Sequence, residues 1–164
     1  MNGVNLEVSR QSRAARQSEW QDESGRLVDK VVFINRCAKV VKGGRRFSFS
    51  ALVVVGNGAG RVGVGFSKTK ETPDAVKKAF EQTKKNMRRC PIACHTIPQD
   101  IVGASDGVLV ILRPVAPGAG NVVAEGVHFV LEVLNVSDML SKSMGSTNPS
   151  AMMYAMLDAL GKLQ

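Results

Sequence analysis

Three cysteines and two histidines are the side chains here that could hold a metal, and their spacing suits the task poorly. Cys90, Cys94 and His95 form a C-x-x-x-C-H run, with Cys37 far upstream in a predicted strand. A structural zinc site needs two close ligand pairs and covalent heme attachment needs C-x-x-C-H, so no metal is expected. Three cysteines without an evident pairing fit a reducing compartment. No nucleophile, base and acid come in a recognisable set. His128 falls in a predicted helix, where a surface or interface role is expected.

Two glycine motifs bear on phosphate chemistry. Gly58, Gly60 and Gly63 match G-x-G-x-x-G, but a dinucleotide loop must open a helix. Residues 62–66, from inside the motif onward, alternate Val-Gly-Val-Gly-Phe, which is strand. The second motif is a strand over Val108–Leu112, a glycine loop with Gly118 and Gly120, and then a helix, the order that makes an anion site. No Lys-Ser/Thr follows it and no acidic metal ligand stands close by, so it reads as a tight connection that permits close packing. No cofactor and no enzymatic activity are expected. A nucleotide-binding enzyme using the Gly118–Gly120 loop is the alternative that lacks its partners.

The chemistry this chain does advertise is phosphate binding by cations. Lys42, Gly43, Gly44, Arg45 and Arg46 form a loop in which arginines fork onto phosphate oxygens and glycines let a backbone approach. Arg61, Lys68 and Lys70 lie at the ends of a following strand, and Lys77 and Lys78 lie on the helix after it. Residues 27–90 carry fifteen basic groups against four acids, net +11, while residues 1–26 are neutral and residues 91–164 carry net −3. One segment thus carries all the excess charge, which points to a polyanionic partner. Phe47 and Phe49 read as core, so few aromatics stand among the cations. That favours backbone and shape recognition of folded RNA over base stacking.

The elements that must position these loops follow from hydrophobic period. With 164 residues and 44% hydrophobic content, the chain fits one domain or two small ones. Residues 1–26 are polar and read as a flexible arm, with no apolar leader segment; no run of about 18 apolar residues suggests a membrane span. Leu27–Val41 is rich in β-branched residues and reads as a strand. A second strand follows, with Phe47, Phe49, Ala51, Val53 and Val55 on one face. A turn over Gly56–Gly60 leads to a third, with Val62, Val64 and Phe66 on one face. A helix then runs to about Met87, with Thr72 as N-cap, Pro73 at its first position, and Val76, Phe80, Thr83 and Met87 as its apolar stripe. Residues 91–164 read as a second unit. It has strands over Ile97–Val102 and Val108–Leu112, a turn over Ala104–Gly107, and a helix capped by Asn121. Its last helix is capped by Asn148 and ended by Gly161. The fold class expected is α+β: a three-stranded antiparallel sheet with one helix over 27–90, then a small α+β domain over 91–164.

The run from Ile34 to Ala79, containing VVKGGRRFSFSALVVVGNGAGRVGVGFSKTK, resembles the bacterial-type family of ribosomal protein five of the small subunit. So do Thr96–Pro98, RPVAPGAG (Arg113 to Gly120) and KSMGSTNP (Lys142 to Pro149), in family-like order and spacing over about residues 27–160. The resemblance implies a first domain like the double-stranded-RNA-binding domains. It implies binding to small-subunit ribosomal RNA near the decoding region, with an effect on accuracy through ribosomal protein four. Ribosomal protein eight and messenger RNA, near where it enters, are the other implied partners, and the Val40–Arg46 loop is associated in the family with spectinomycin response. Gly118, Gly120 and His128 are expected at protein interfaces. The chain departs from the family at Glu125-Gly126 and His128, where a glycine pair and then an arginine are usual, and at Asn135, where glycine is usual. The expected location is the ribosome, in the cytoplasm or in an organellar matrix or stroma. An RNA-binding module acting outside the ribosome is the alternative.

Overall fold

The computed structural model describes residues 21–22, 25–92 and 95–163. Of the expected arm over 1–26, only a short hairpin falls in that set: β1 (Gln21–Asp22) pairs antiparallel with β2 (Gly25–Arg26). The rest of the arm and Cys94 lie outside the described residues.

Three long antiparallel strands follow as the alternation predicts: β3 (Val28–Val41), β4 (Gly44–Gly56) and β5 (Arg61–Thr69). The register of β3 shifts between Val31 and Phe33. An extra residue at such a bulge reverses the inside–outside pattern, which is why the alternation of this strand reads imperfectly. A fourth strand, β6 (Arg88–Arg89), adds to the far edge by pairing with β5; two residues carry no readable period.

The sheet is covered on both faces. Ala51 through Val55 are all fully buried, although only Ala51, Val53 and Val55 were expected inside. An unbroken apolar run is the mark of a strand covered twice. On one face Val53 and Val55 meet Ala79 and Phe80 of α1 (Thr72–Lys85). On the other, Leu52, Val54, Val62 and Val64 join the core of the second half.

Helix α1 departs from expectation in two ways. Its N-cap is Glu71, whose carbonyl accepts the Ala75 N–H at 3.1 Å, so Thr72 is already inside the helix and Pro73 follows it. Its buried stripe is Ala75, Ala79, Phe80 and Thr83, while Val76 and Met87 sit at the margin. The stripe turns toward small residues because glycines face it. A Cβ on Gly63 would stand 2.8 Å from the Thr83 carbonyl, and one on Gly65 would run into Thr83 Oγ1 and the Ala79 carbonyl. The Val-Gly-Val-Gly pattern therefore has a division of labour: valines fill one core, and glycines seat the helix on bare backbone.

The second half contains β7 (Ile101–Ser105), β8 (Val108–Pro114), β9 (Asn121–Val122), α2 (Glu125–Leu134), β10 (Met139–Gly145) and α3 (Pro149–Gly161). Sheet order is β7-β8-β10-β9, antiparallel except for β9 against β10. The first strand begins at Ile101 rather than Ile97. Asn121 does not cap α2; its amide donates to the Val136 carbonyl at 2.8 Å, and Ala124 precedes the helix instead. Strand β10 was not anticipated, since only Met139 and Ser141 of its seven residues are buried. Asn135 ends α2 in the left-handed region, φ 59°, where asparagine is the usual substitute for glycine. Helix α3 starts as read: Asn148 Oδ1 accepts the Ser150 N–H at 3.2 Å, with Pro149 next.

The halves share one core. Leu52 and Val62 belong with Val127, Val130, Leu134 and Leu160. The Gly58 N–H donates to the Val133 carbonyl in the last turn of α2 at 3.2 Å, and Lys30 on β3 reaches Glu132 at 2.6 Å.

Candidate nucleic-acid interface

Strands β3 and β4 outrun the rest of their sheet. Strand β5 stops pairing at Thr69, opposite Phe49, while β3 and β4 pair on to Val41 and Gly44. Five residues of overhang at about 3.3 Å each make an arm roughly 17 Å long. Its tip is the turn at Lys42 and Gly43, where φ of 97° and empty space around a built Cβ leave backbone freedom as the reason for glycine.

Lys42, Arg45 and Arg46 are exposed on this arm, but the two arginines do not act together. Neighbouring strand residues point to opposite faces. Arg46 lies across from Lys39, and Lys68 lies across from Ser50 on that same face, so these three cations align. Arg45 shares the other face with Phe47 and Arg36. Lys39 was missed in the sequence, yet counting outward from the Lys42-Gly43 turn sets it opposite Arg46.

Phe47 corrects the expected core. It is 47% exposed, and the Arg36 guanidinium carbon stands 3.9 Å above its ring centroid. Phe49 is half-buried.

The other predicted cations divide between two further places. Lys70 is exposed in the turn before α1, near the base of the arm, and Lys77 and Lys78 are exposed on α1. Arg61 sits at the opposite end of the sheet, seven residues and roughly 23 Å along β5 from Lys68. There it directly faces Arg89, a second residue the sequence reading missed. Like charges across a ladder repel, so this pair gains from an anion between them. Among the described residues the ion pairs are Lys30–Glu132, Arg113–Asp100 and Lys162–Asp158, and none engages a predicted RNA-binding cation.

The second glycine loop already holds an anion of its own chain. Gly118 and Gly120, at φ 88° and 79°, aim their N–H groups at Asp138 Oδ1, 3.0 and 3.1 Å away. The Gly120 N–H, with the Ser137 hydroxyl and the Gly118 N–H, holds the Asp138 carboxyl below its ordinary range. Strand β9 also stands between the loop and α2, so the loop does not open a helix. A phosphate would find these donors taken. His128 is exposed on α2, its ring centroid 6.2 Å from that of Phe129.

The Gly58–Gly63 motif spans the end of a hairpin turn over residues 57–60 and the first residues of β5, which pairs antiparallel with β4. Asn57 Oδ1 organises the turn, accepting the N–H groups of Ala59 and Arg61 at 2.9 and 3.0 Å. Cys37 lies on β3 beside Ser50, whereas Cys90 is buried beyond β6, where desolvation pushes its thiol from 9.0 up to about 11 despite Arg88 nearby. Such a thiol is a packing group rather than a nucleophile. No three metal-ligating side chains converge among the described residues. Nor, among them, is any helix long and apolar enough to cross a membrane.

Comparison with known proteins agrees with this architecture. Residues 27–91 match the family described as ribosomal protein S5, N-terminal domain, and residues 103–164 match ribosomal protein S5, C-terminal domain. The small ribosomal subunit protein uS5 of Protochlamydia amoebophila (strain UWE25) is 43% identical over 147 residues, covering 90% of this chain and 88% of that protein. The two matched segments coincide with the arm-bearing sheet and the second sheet with its helices, and together with that relative they show that the chain belongs to the ribosomal protein S5 family, whose members are structural and non-enzymatic.

Proposed function

We propose that this chain is a structural constituent of the small ribosomal subunit that binds small-subunit ribosomal RNA near the decoding region. The observation that carries this reading is the arm: cations without an ion pair among the described residues, on a two-stranded projection, in the segment of the chain with net charge +11. Strand pairing fixes the spacing of Lys39, Arg46 and Lys68, so little conformational freedom is lost when phosphates are met. Cations at the far end of the sheet, Arg61 and Arg89, supply a second contact. The mechanism is positional. A protein touching RNA at two ends of one stiff sheet favours the RNA arrangement that satisfies both.

The second half turns outward for protein contact. Val102, Leu109, Leu140 and Met144 are each more than 40% exposed on the open face of the second sheet. Apolar residues gathered this way mark an interaction surface. Ribosomal proteins four and eight are the proposed neighbours, with the Gly118–Gly120 loop and His128 in the contact that bears on decoding accuracy. Messenger RNA near where it enters is a further proposed contact, in a cytoplasmic ribosome.

The test is RNA crosslinking with mass spectrometry on purified small subunits. Crosslinks from Lys39, Lys42, Arg46 and Lys68 into small-subunit ribosomal RNA are expected. If crosslinks come only from residues 91–164, the arm does not hold the RNA. If the chain leaves the subunit in a high-salt gradient while still binding RNA, it acts as a module outside the ribosome.

A further inference from the structure

We propose that Phe47 and Arg36 form a stacking platform for one unpaired nucleobase, on the face of the arm opposite Lys39, Arg46 and Lys68. This rests on the RNA-binding reading above and adds a second kind of contact to it.

The geometry points to a base. Phe47 is 47% exposed, on a projection that β5 does not reach. The residue directly across from it is Ala38, too small to cover the ring. Arg36 lies across from Phe49, diagonal to Phe47, and lays its guanidinium 3.9 Å over the ring centroid. The cation–π contact holds the guanidinium against the ring, which lowers the ordering cost of adding a further flat π surface. Arg36 has no carboxylate partner among the described residues, and Arg45 adds charge to the same face. An acidic or apolar peptide would use only part of this chemistry. A nucleobase uses all of it: a π face against ring and guanidinium, and a phosphate for Arg45.

The arm therefore has two sides with different work. Lys39, Arg46 and Lys68 meet backbone charge on one side, and Phe47 with Arg36 takes a splayed base on the other. A ribbon of this build lies between two RNA segments rather than upon one. The phosphate side needs no base sequence, whereas the platform requires an unpaired nucleotide within reach of the tip.

The experiment uses the full chain with a full-length small-subunit ribosomal RNA transcript. Short-wave ultraviolet light joins stacked partners without a linker, and mass spectrometry locates the join. A crosslink at Phe47 is expected. Phe47→Leu should weaken binding roughly 5- to 100-fold with the slope of affinity against salt unchanged, and Phe47→Trp should restore it, because stacking carries no counterion release. Salt-dependent binding with no join at Phe47 and full affinity in Phe47→Leu would overturn the platform and leave the phosphate contacts standing. A join from Phe47 to a ribosomal protein in whole subunits would overturn it in favour of a peptide. Loss of salt-dependent binding in the unaltered chain would bring down both readings. Should Phe47→Leu fail to fold, the crosslink on the unaltered chain decides alone.

Discussion

Replacing Lys39, Arg46 and Lys68 together with glutamine removes the charge from one face of the arm and leaves the other intact. All three are exposed, and glutamine keeps their length and polarity, so stability should change by no more than about 0.5 kcal/mol per site. Each cation that meets a phosphate releases roughly 0.7–0.9 of a counterion, so three lower the slope of log affinity against log salt by about 2–2.7. Between 50 and 200 mM salt the unaltered chain then loses about 20- to 40-fold more affinity than the variant. Fluorescence anisotropy with small-subunit ribosomal RNA across a potassium chloride series measures this directly. Lys162→Gln is the control, because its ammonium already sits 2.6 Å from Asp158. Arg45→Gln lies on the opposite face and should lower the slope by a further unit or so, independently of the other three. An unchanged slope in the triple variant would refute the alignment of these cations on phosphate, whatever the affinity does.

Gly65→Ala should destabilise the fold by about 1–3 kcal/mol, because its methyl meets the Ala79 carbonyl and Thr83 Oγ1 and α1 must lift from the sheet. For a chain of this size that is a fall in Tm of roughly 2–12 °C by calorimetry, and an unchanged Tm would contradict the seating of the helix on bare backbone. Asp138 governs the Gly118–Gly120 loop: its carboxyl titrates below the usual 3.8, so the stability it lends is present above that pH and is lost as pH falls through the lower folded value. Amide resonances of Gly118 and Gly120 followed by NMR should shift with a midpoint below 3.8, and should lose that transition in Asp138→Asn. A midpoint at or above 3.8 would show that these N–H groups do not hold the carboxylate.

Much of the first half is legible without coordinates. The apolar run Ala51–Val55 and the period two over Val62–Phe66, with glycines between, are enough for a hairpin sheet, and the Lys42-Gly43 turn follows from its glycines, although Gly44, Arg45 and Arg46, read as loop, belong to β4. What period cannot say is where a neighbouring strand stops. Phe47 and Phe49 continue the alternation of Ala51 and Val53 without a break, and so read as core. Phe47 is exposed because β5 ends at Thr69, opposite Phe49. The same limit hid the role of the glycines in β5. Gly63 and Gly65 look like weak strand residues until Thr83 and Ala79 are found above them.

In the second half the signal weakens for a different reason. Strand β10 buries only two of seven side chains and draws its place from pairing with β8. Asp138 lies twenty residues beyond Gly118, and only the fold brings its carboxylate into the loop. Read alone, the loop has the strand, glycine and helix order of an anion site but reads as a tight connection. The structure supplies the occupant from the chain itself.

The sequence by itself determined the α+β class, the concentration of positive charge in one segment, and the family, because composition, period and local motifs are properties of neighbouring residues. Only the tertiary structure decided that Arg45 and Arg46 serve opposite faces, that Arg61 stands beside Arg89 and far from the arm, and that Phe47 is free to meet a partner. These depend on strand register and strand length. Both are set when distant segments compete to bury apolar surface, and a residue in isolation carries no record of that competition.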